Sequence, residues 1–412
     1  MHCYDGRGVA RYLSLILGIR STTRERLVAA GLPTIDHMAQ ASDDERPARV
    51  GLDTFERLRA QAALQIEGEA ANTILWREID PARLAALPPP SNGDLWFDME
   101  GFPGWDSGQS LEYMFGVGYL ADDTFRFLTF EALDRAEERQ AFIEFIDFAV
   151  GRLADHPDMH IYHYADYERR TLLELAQRHG VREAEVDDLV RRGILVDFYD
   201  VVRHSLRFST ESLSLKYIEP VYGHQRPAGE EDVTTALGSV IRFEEAMHHR
   251  SLGETQEFDA ILASIRYYNE DDCLSTYELD RWLRSLTGAS TWRAPQGILP
   301  GDDQDEADAP DVPQAERLVD RLLDGVPTRL EDRTDDQTSL AQLAAMLDFH
   351  RREEKPQWWR LFEWAQTDVA ALEDEQAVLV VDEADATEWG KTGRQRVSRR
   401  SLRLGSSAQQ PR

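Results

Sequence analysis

The sequence has little of what disulfide-stapled, membrane-spanning or polyanion-coating proteins need. Only two of its 412 residues are cysteine, Cys3 and Cys273, too far apart to suggest a disulfide framework or a zinc site. A reduced, cytoplasmic protein is the expectation. No apolar run approaches the ~20 residues needed to span a bilayer. The opening MHCYDGRGVARY lacks the charged-then-apolar order of a signal peptide. Lysine is almost missing, with three residues against forty-three arginines, a bias of GC-rich genomes, and the acid excess also suits a salt-adapted proteome. Positive charge as a whole is scarce: the net charge is −30. Such a field repels nucleic acid at long range, so any contact with it must be made by local basic patches or by metal ions. That argues against a passive coat for DNA. It leaves room for an enzyme whose acids hold cations.

What is present is enough apolar residue, 42%, to fill a core, and a length that suits one large domain with appendages or two to three domains. Residues 10–42 read as short helices punctuated by Gly18 and Gly31, with Thr34 placed to cap a helix over Ile35 and Met38. This stretch resembles helix-hairpin-helix modules, whose hairpin amides can grip a phosphate backbone; a plain helical packing unit is the equal alternative. Residues 53–77 read as one amphipathic helix, so that 1–80 forms a helical module, and the proline-marked stretch 81–93 then reads as a boundary. Strand-like runs follow at 94–99, 111–120 and 124–130, then a helix at 135–154, a strand at 159–164, a helix at 167–179 and a strand from 194 running into a helix. A short helix ending at Gly223 and helices at 233–250 and 255–287 complete the pattern. Three consecutive strands and then alternation predict an α/β domain, a mixed five-stranded sheet flanked by helices, over 94–287. Beyond it, 301–313 carries six acids and no base and reads as a solvated linker; 314–370 reads as a helical extension, and 391–412, with seven bases and no acid, as a disordered tail.

The chemistry is concentrated in one constellation. In LWFDMEGFPGW, residues 95–105, the period-2 pattern aims Asp98 and Glu100 at the same face of a strand that otherwise reads as buried. In IRYYNEDDCLS the helical period sets Tyr268 and Asp272 on one face, four residues apart. In YHYADYERR, Asp166 and Glu168 stand where a strand passes into a helix. Carboxylates from these three places can hold two divalent cations, Mg²⁺ or Mn²⁺, which prefer oxygen ligands. The adjacent like charges of the opening strand are then compensated. Taken singly, each piece has an ordinary reading: an Asp-x-Glu decorates many strands, and a helical tyrosine usually packs. His160 and His163 read as ordinary polar residues with no metal role, and Asp197 and Asp200 as solvated acids at a strand end.

A first-strand Asp-x-Glu, a middle acid beside an aromatic and a late Tyr-x-x-x-Asp resemble the tyrosine-bearing DEDD exonucleases. FDMEG, YHYADYE and YNEDDCLST are similar to the YprB-type ribonuclease H-like domain of RecB-like nucleases. The resemblance covers 94–287 and implies a ribonuclease H-like fold and a metal-dependent 3′–5′ exonuclease, a hydrolase cutting phosphodiester bonds of DNA or RNA. It implies that Asp98 bridges both cations, Glu100 and Asp272 complete one site and Glu168 serves the second, while Tyr268 orients the attacking water. A phenol with an ordinary pKa near 10 is a poor base at neutral pH. A histidine-type member would carry its histidine where Tyr267 stands. The middle motif departs from the usual pattern, because the register with Tyr167 and Leu172 falls on Glu168 where an aspartate is usual; Asp166 is the competing ligand. Arg169, Arg170 and Lys216 are the candidate substrate contacts, and a single-stranded end of nucleic acid is the expected partner. Relatives often carry a RecB-like domain with an iron–sulfur cluster, and a helicase. Cys3 resembles a remnant of a cluster ligand, and no G-x-x-x-x-G-K-[ST] loop is present, so a truncated or split relative is expected, with helicase or nuclease functions supplied in trans. The rival reading is a catalytically eroded nucleic-acid-binding or scaffolding module of a repair complex.

Overall fold

A computed structural model describes residues 12–106, 109–226, 236–293, 318, 321–327 and 333–347. Cys3, the acidic stretch 301–313, the tail 391–412 and most of 314–370 lie outside the described residues. The chain divides into two compact units, Met1–Asp308 and Ala309–Arg412.

The first unit begins with α1 (Ser21–Ala29), α2 (Ile35–Gln40) and α3 (Leu52–Ala71). Thr34 caps α2, its hydroxyl accepting from the His37 amide at 3.3 Å, and Ile35 and Met38 turn inward on the first turn it starts. They join Leu27, Phe55 and Leu58 in a buried cluster of their own. The helix expected over 53–77 ends instead at Asn72, whose φ of +50° is the left-handed stop of an α-helix. The chain then forms β1 (Trp76–Glu78), α4 (Pro81–Ala85) and the long β2 (Leu95–Asp106). Leu84 and Leu87, inside the proline-marked stretch, share one buried cluster with Trp96.

Next come β3 (Gln109–Ala121), β4 (Thr124–Glu131), α5 (Arg135–Asp155), β5 (Ile161–His163), α6 (Tyr167–His179) and α7 (Glu183–Arg191). They are followed by β6 (Leu195–Asp197), α8 (Phe198–Ser205), β7 (Leu206–Phe208), α9 (Leu215–Tyr222), α10 (Ala236–Leu252) and α11 (Thr255–Leu286). The sheet has the order β4-β3-β2-β5-β6, with β2 central, antiparallel to β3 and parallel to β5. It is the mixed five-stranded sheet flanked by helices that the sequence pattern predicts. Four features were not expected: α4 inside the proline-marked stretch, α7, the small antiparallel pairing of β1 with β7, and the continuation of β2 six residues past Glu100. Gln61 of α3 donates to the Phe208 carbonyl at 2.8 Å, tying the N-terminal helices to that small sheet.

The two faces of β2 explain its composition. Phe97 stacks on Phe145 of α5 with ring centroids 4.3 Å apart, while Trp96 meets Tyr277 of α11 edge-on at 4.6 Å. Alternate residues therefore face alternate helices, and Asp98 and Glu100 fall on the α11 side. A register shift lies between Glu100 and Gly101, so the strand is re-aimed just past the second acid.

In the second unit the described residues include α12 (Asp335–Met346), started by a capping box in which the Thr334 hydroxyl accepts from the Gln337 amide at 3.2 Å and the Gln337 side chain accepts from the Thr334 amide. Among the described residues no helix is long and apolar enough to cross a membrane.

Candidate active site

Asp98 and Glu100 from β2 and Asp272 from α11 converge, each offering a carboxylate oxygen within 4.8 Å of the others. Their surroundings explain how three like charges are held together. Asn269, fully buried one helical turn before Cys273, donates from Nδ2 to Asp98 Oδ2 at 2.6 Å. Ser239 of α10 donates to Glu100 Oε2 at 2.6 Å and is itself hydrogen-bonded to the Tyr113 hydroxyl. Asp272 Oδ1 accepts from Arg226 at 2.5 Å. Each acid thus has a donor from a different part of the chain: α11, α10 and the loop after α9.

Removal from water pushes all three carboxyls above the usual range, and their mutual repulsion adds to it; Glu100 is raised to about 8 despite its bond from Ser239. Ser239 at Glu100, Arg226 at Asp98 and Asp272, Lys216 at Glu100 and Asp272, and the Tyr268 hydroxyl at Asp272 oppose this. An all-oxygen donor set whose charges are uncompensated by burial fits a hard divalent cation.

Glu168 lies outside this close group, yet its charge reaches both Asp98 and Glu100. It is 3% exposed, near the start of α6, with its Oε2 buried and without a hydrogen-bond donor and with the His163 ring nitrogen 3.5 Å away. The turn that presents it is built by neighbours. Ala165 takes a φ of +78°, unfavourable for any residue with a Cβ. His163 Nδ1 contacts the Ala165 carbonyl at 2.7 Å, and Asp197 accepts from the Ala165 amide at 2.8 Å. Asp166 instead occupies the N-cap position of α6, with its side chain 44% exposed and 3.5 Å from Arg169. Glu168→Gln is therefore expected to cost at least about tenfold more activity than Asp166→Asn; steady-state rates of the two variants on one labelled oligonucleotide decide it, and a reversed order would move the middle ligand to Asp166.

Tyr268 reaches into the cluster from α11. Its hydroxyl accepts from Lys216 Nζ at 2.9 Å and is hydrogen-bonded toward Asp272. Burial and the neighbouring acids push the phenol well above its ordinary value, so it stays protonated. Tyr267, at the position a histidine-type relative would use, is 54% exposed. Arg169 turns back to Asp166, and Arg170 lies 3.6 Å from Glu174 on its own helix. Lys216 is brought to the acids, while Arg169 and Arg170 engage residues of α6 and its cap.

Residues 95–284 match the family model described as the RNase H superfamily. The domain is ribonuclease H-like. The superfamily suggests a nuclease-type function, and the carboxylates that its central strand and α11 bring together could hold a divalent metal. No curated protein and no solved structure matches the chain.

Three neighbours of the cluster escaped the sequence reading, Asn269, Ser239 and Arg226, while His163, read as an ordinary polar residue, lies 3.5 Å from Glu168. Asn269 stands inside the YNEDD run three residues before Asp272, and its side chain occupies the space where Gly116 of FGVGYL has no Cβ, so a signal existed. Ser239 lies in the helix read over 233–250 and Arg226 just after Gly223; neither departs from its local pattern, and only the fold brings them in.

Proposed function

We propose that the ribonuclease H-like domain is a metal-dependent 3′–5′ exonuclease acting on a single-stranded end of DNA or RNA. The convergence of Asp98, Glu100 and Asp272 within 4.8 Å carries this reading. Those three would hold one Mg²⁺ or Mn²⁺, and Asp98 with Glu168 a second. Bound cations of this kind supply an activated water and charge neutralisation at the leaving oxygen of a phosphodiester. The chain's own groups do the rest. Asn269 fixes the rotamer of Asp98, and the Tyr113–Ser239 pair fixes Glu100. Tyr268, a protonated phenol steadied by Lys216, orients the water without removing its proton.

A second reading rests on Arg226. Its ion pair with Asp272 closes the cluster with protein charge, as in a scaffold that no longer uses metal. The test is degradation of 3′- and 5′-end-labelled single strands with Mn²⁺, Mg²⁺ or chelator. Cation-dependent shortening from the 3′ end supports the exonuclease; binding without degradation supports the scaffold.

A further inference from the structure

Arg226 is held by three acids at once. Its Nε and one terminal nitrogen grip Glu219 of α9 at 2.9 and 2.5 Å, that same nitrogen reaches Asp272 Oδ1 at 2.5 Å, and the other lies 3.2 Å from Asp271 Oδ2. Glu219 is 5% exposed and also accepts from Ser275 at 2.9 Å, so it is a fixed anchor. The Arg226 side chain keeps 22% of its surface open, and its guanidinium stands 5.8 Å from the centre of the Tyr268 ring. A guanidinium anchored on one carboxylate, touching a candidate metal ligand and open to solvent is arranged to take an anion once that ligand is taken from it. The five donors of its planar fork match a phosphate as well as a carboxylate.

Resting on the nuclease reading of the same site, we propose that Arg226 is a substrate-phosphate ligand stored on Asp272, which a divalent cation releases by competing for that carboxylate. The argument is one of charge. The Asp272 oxygen that Arg226 uses belongs to the same carboxylate that closes the acidic triad. A cation bound there repels the guanidinium across a partly buried gap where screening is weak. Glu219 and Asp271 keep the arm in place, so the N–H that pointed at Asp272 stays beside the cluster, where a scissile phosphate would lie, while the same nitrogen keeps its bond to Glu219. Lys216 does not duplicate this role, because its ammonium is engaged with the Tyr268 hydroxyl and ring.

Two measurements on the full chain test it. The first is Mn²⁺ titration by calorimetry without any nucleotide, comparing the wild type with R226Q and with E219Q/R226Q. The double variant leaves no lone buried carboxylate at Glu219 and guards against misfolding of the single one. Mn²⁺ is expected to bind about 5- to 10-fold more tightly once the competitor is gone; unchanged or weaker binding overturns the proposal, whether or not the protein proves to be a nuclease. The second is binding of thymidine 5′-monophosphate at saturating Mn²⁺, which should weaken at least tenfold in both variants and be partly restored in R226K. Equal affinity in all four proteins would leave Arg226 as a structural ion pair and overturn its role as phosphate ligand. Absence of strand cleavage by the wild type would count against the nuclease reading alone.

Discussion

Asp98→Asn and Asp272→Asn should each lower cation-dependent hydrolysis on the order of a thousandfold, the upper range for removing one electrostatic contact to a transition state, while the metal-free protein stays folded and gains stability. The gain follows from the site itself. Asp98 is destabilised by burial and by the charges of Asp272, Glu100 and Glu168, and an amide at the same place still accepts from Asn269. Relief of roughly 1 kcal/mol would raise the melting temperature by about 2–4 °C for a domain of this size. The pH dependence has a definite sign. Glu100 is protonated up to about 8 in the fold but only up to 4.5 in the unfolded chain. Its contribution to the stability of the metal-free protein is full below 4.5 and is lost as pH rises through 8. Bound cations reverse the trend, because they require the ionised form. Calorimetric melting of wild type and variants at pH 6 and 8, with and without Mn²⁺, reads all of this. A fully active Asp98→Asn protein, free of contaminating nuclease, would remove these acids from the reaction.

Gly116→Ala should be nearly as damaging, though Gly116 bears no functional group. It pairs with Asp98 across β2 and β3. A Cβ there would stand 1.5 Å from Asn269 Oδ1 and 2.6 Å from its Cγ, so the buried amide has to leave. Displacing it strands a polar group in the interior, at roughly 1–3 kcal/mol, and frees Asp98 to turn. A misplacement of about 1 Å at the reacting centre can cost 10²-fold in rate. Gly118→Ala is the control: its Cβ would meet the Phe125 ring at 2.6 Å, so it should lose stability with a much smaller loss of rate per folded molecule. Adding Asn269→Ala to Gly116→Ala gives back the space and should recover melting temperature but not activity. Recovery of both would mean that Asn269 has no part in holding Asp98.

The contrast between Asp98 and Arg226 shows which parts of such a site a sequence displays. The acids of β2 stand out because a buried strand penalises charge, so Asp98 and Glu100 violate the pattern around them. Tyr268 and Asp272 obey a helical period that places them together before any fold is known. The order of strands and helices was legible because apolar runs of strand length and apolar residues at helical spacing are separated by glycine- and aspartate-rich turns. Arg226 and Ser239 violate nothing locally. Their meaning comes from α10 packing on β2 and from α9, with the residues after it, packing on α11, long-range events without a local signature. The limits of β2 were misread because the strand continues past Glu100 through Gly101, Pro103 and Gly104, residues that ordinarily mark a turn. The end of α3 was missed because a single left-handed residue, Asn72, stops it.

α11 runs for 32 residues without a proline or glycine, a rod of about 48 Å at 1.5 Å per residue. It meets β2 or its neighbours at successive levels: Asn269 on Asp98, Tyr277 against Trp96, and Arg284 on the Tyr162 hydroxyl at 2.8 Å. Such a member has no joint at which to flex. A displacement at its Arg284 end reaches Asp272 as a translation, and Tyr268, Asn269 and Asp272 shift together relative to the acids of β2. Amide exchange should accordingly be slow and uniform from Ile265 to Leu283, with a single opening event for the whole span. Graded exchange that quickens toward Asp272 would reveal a softness there that the rod does not possess.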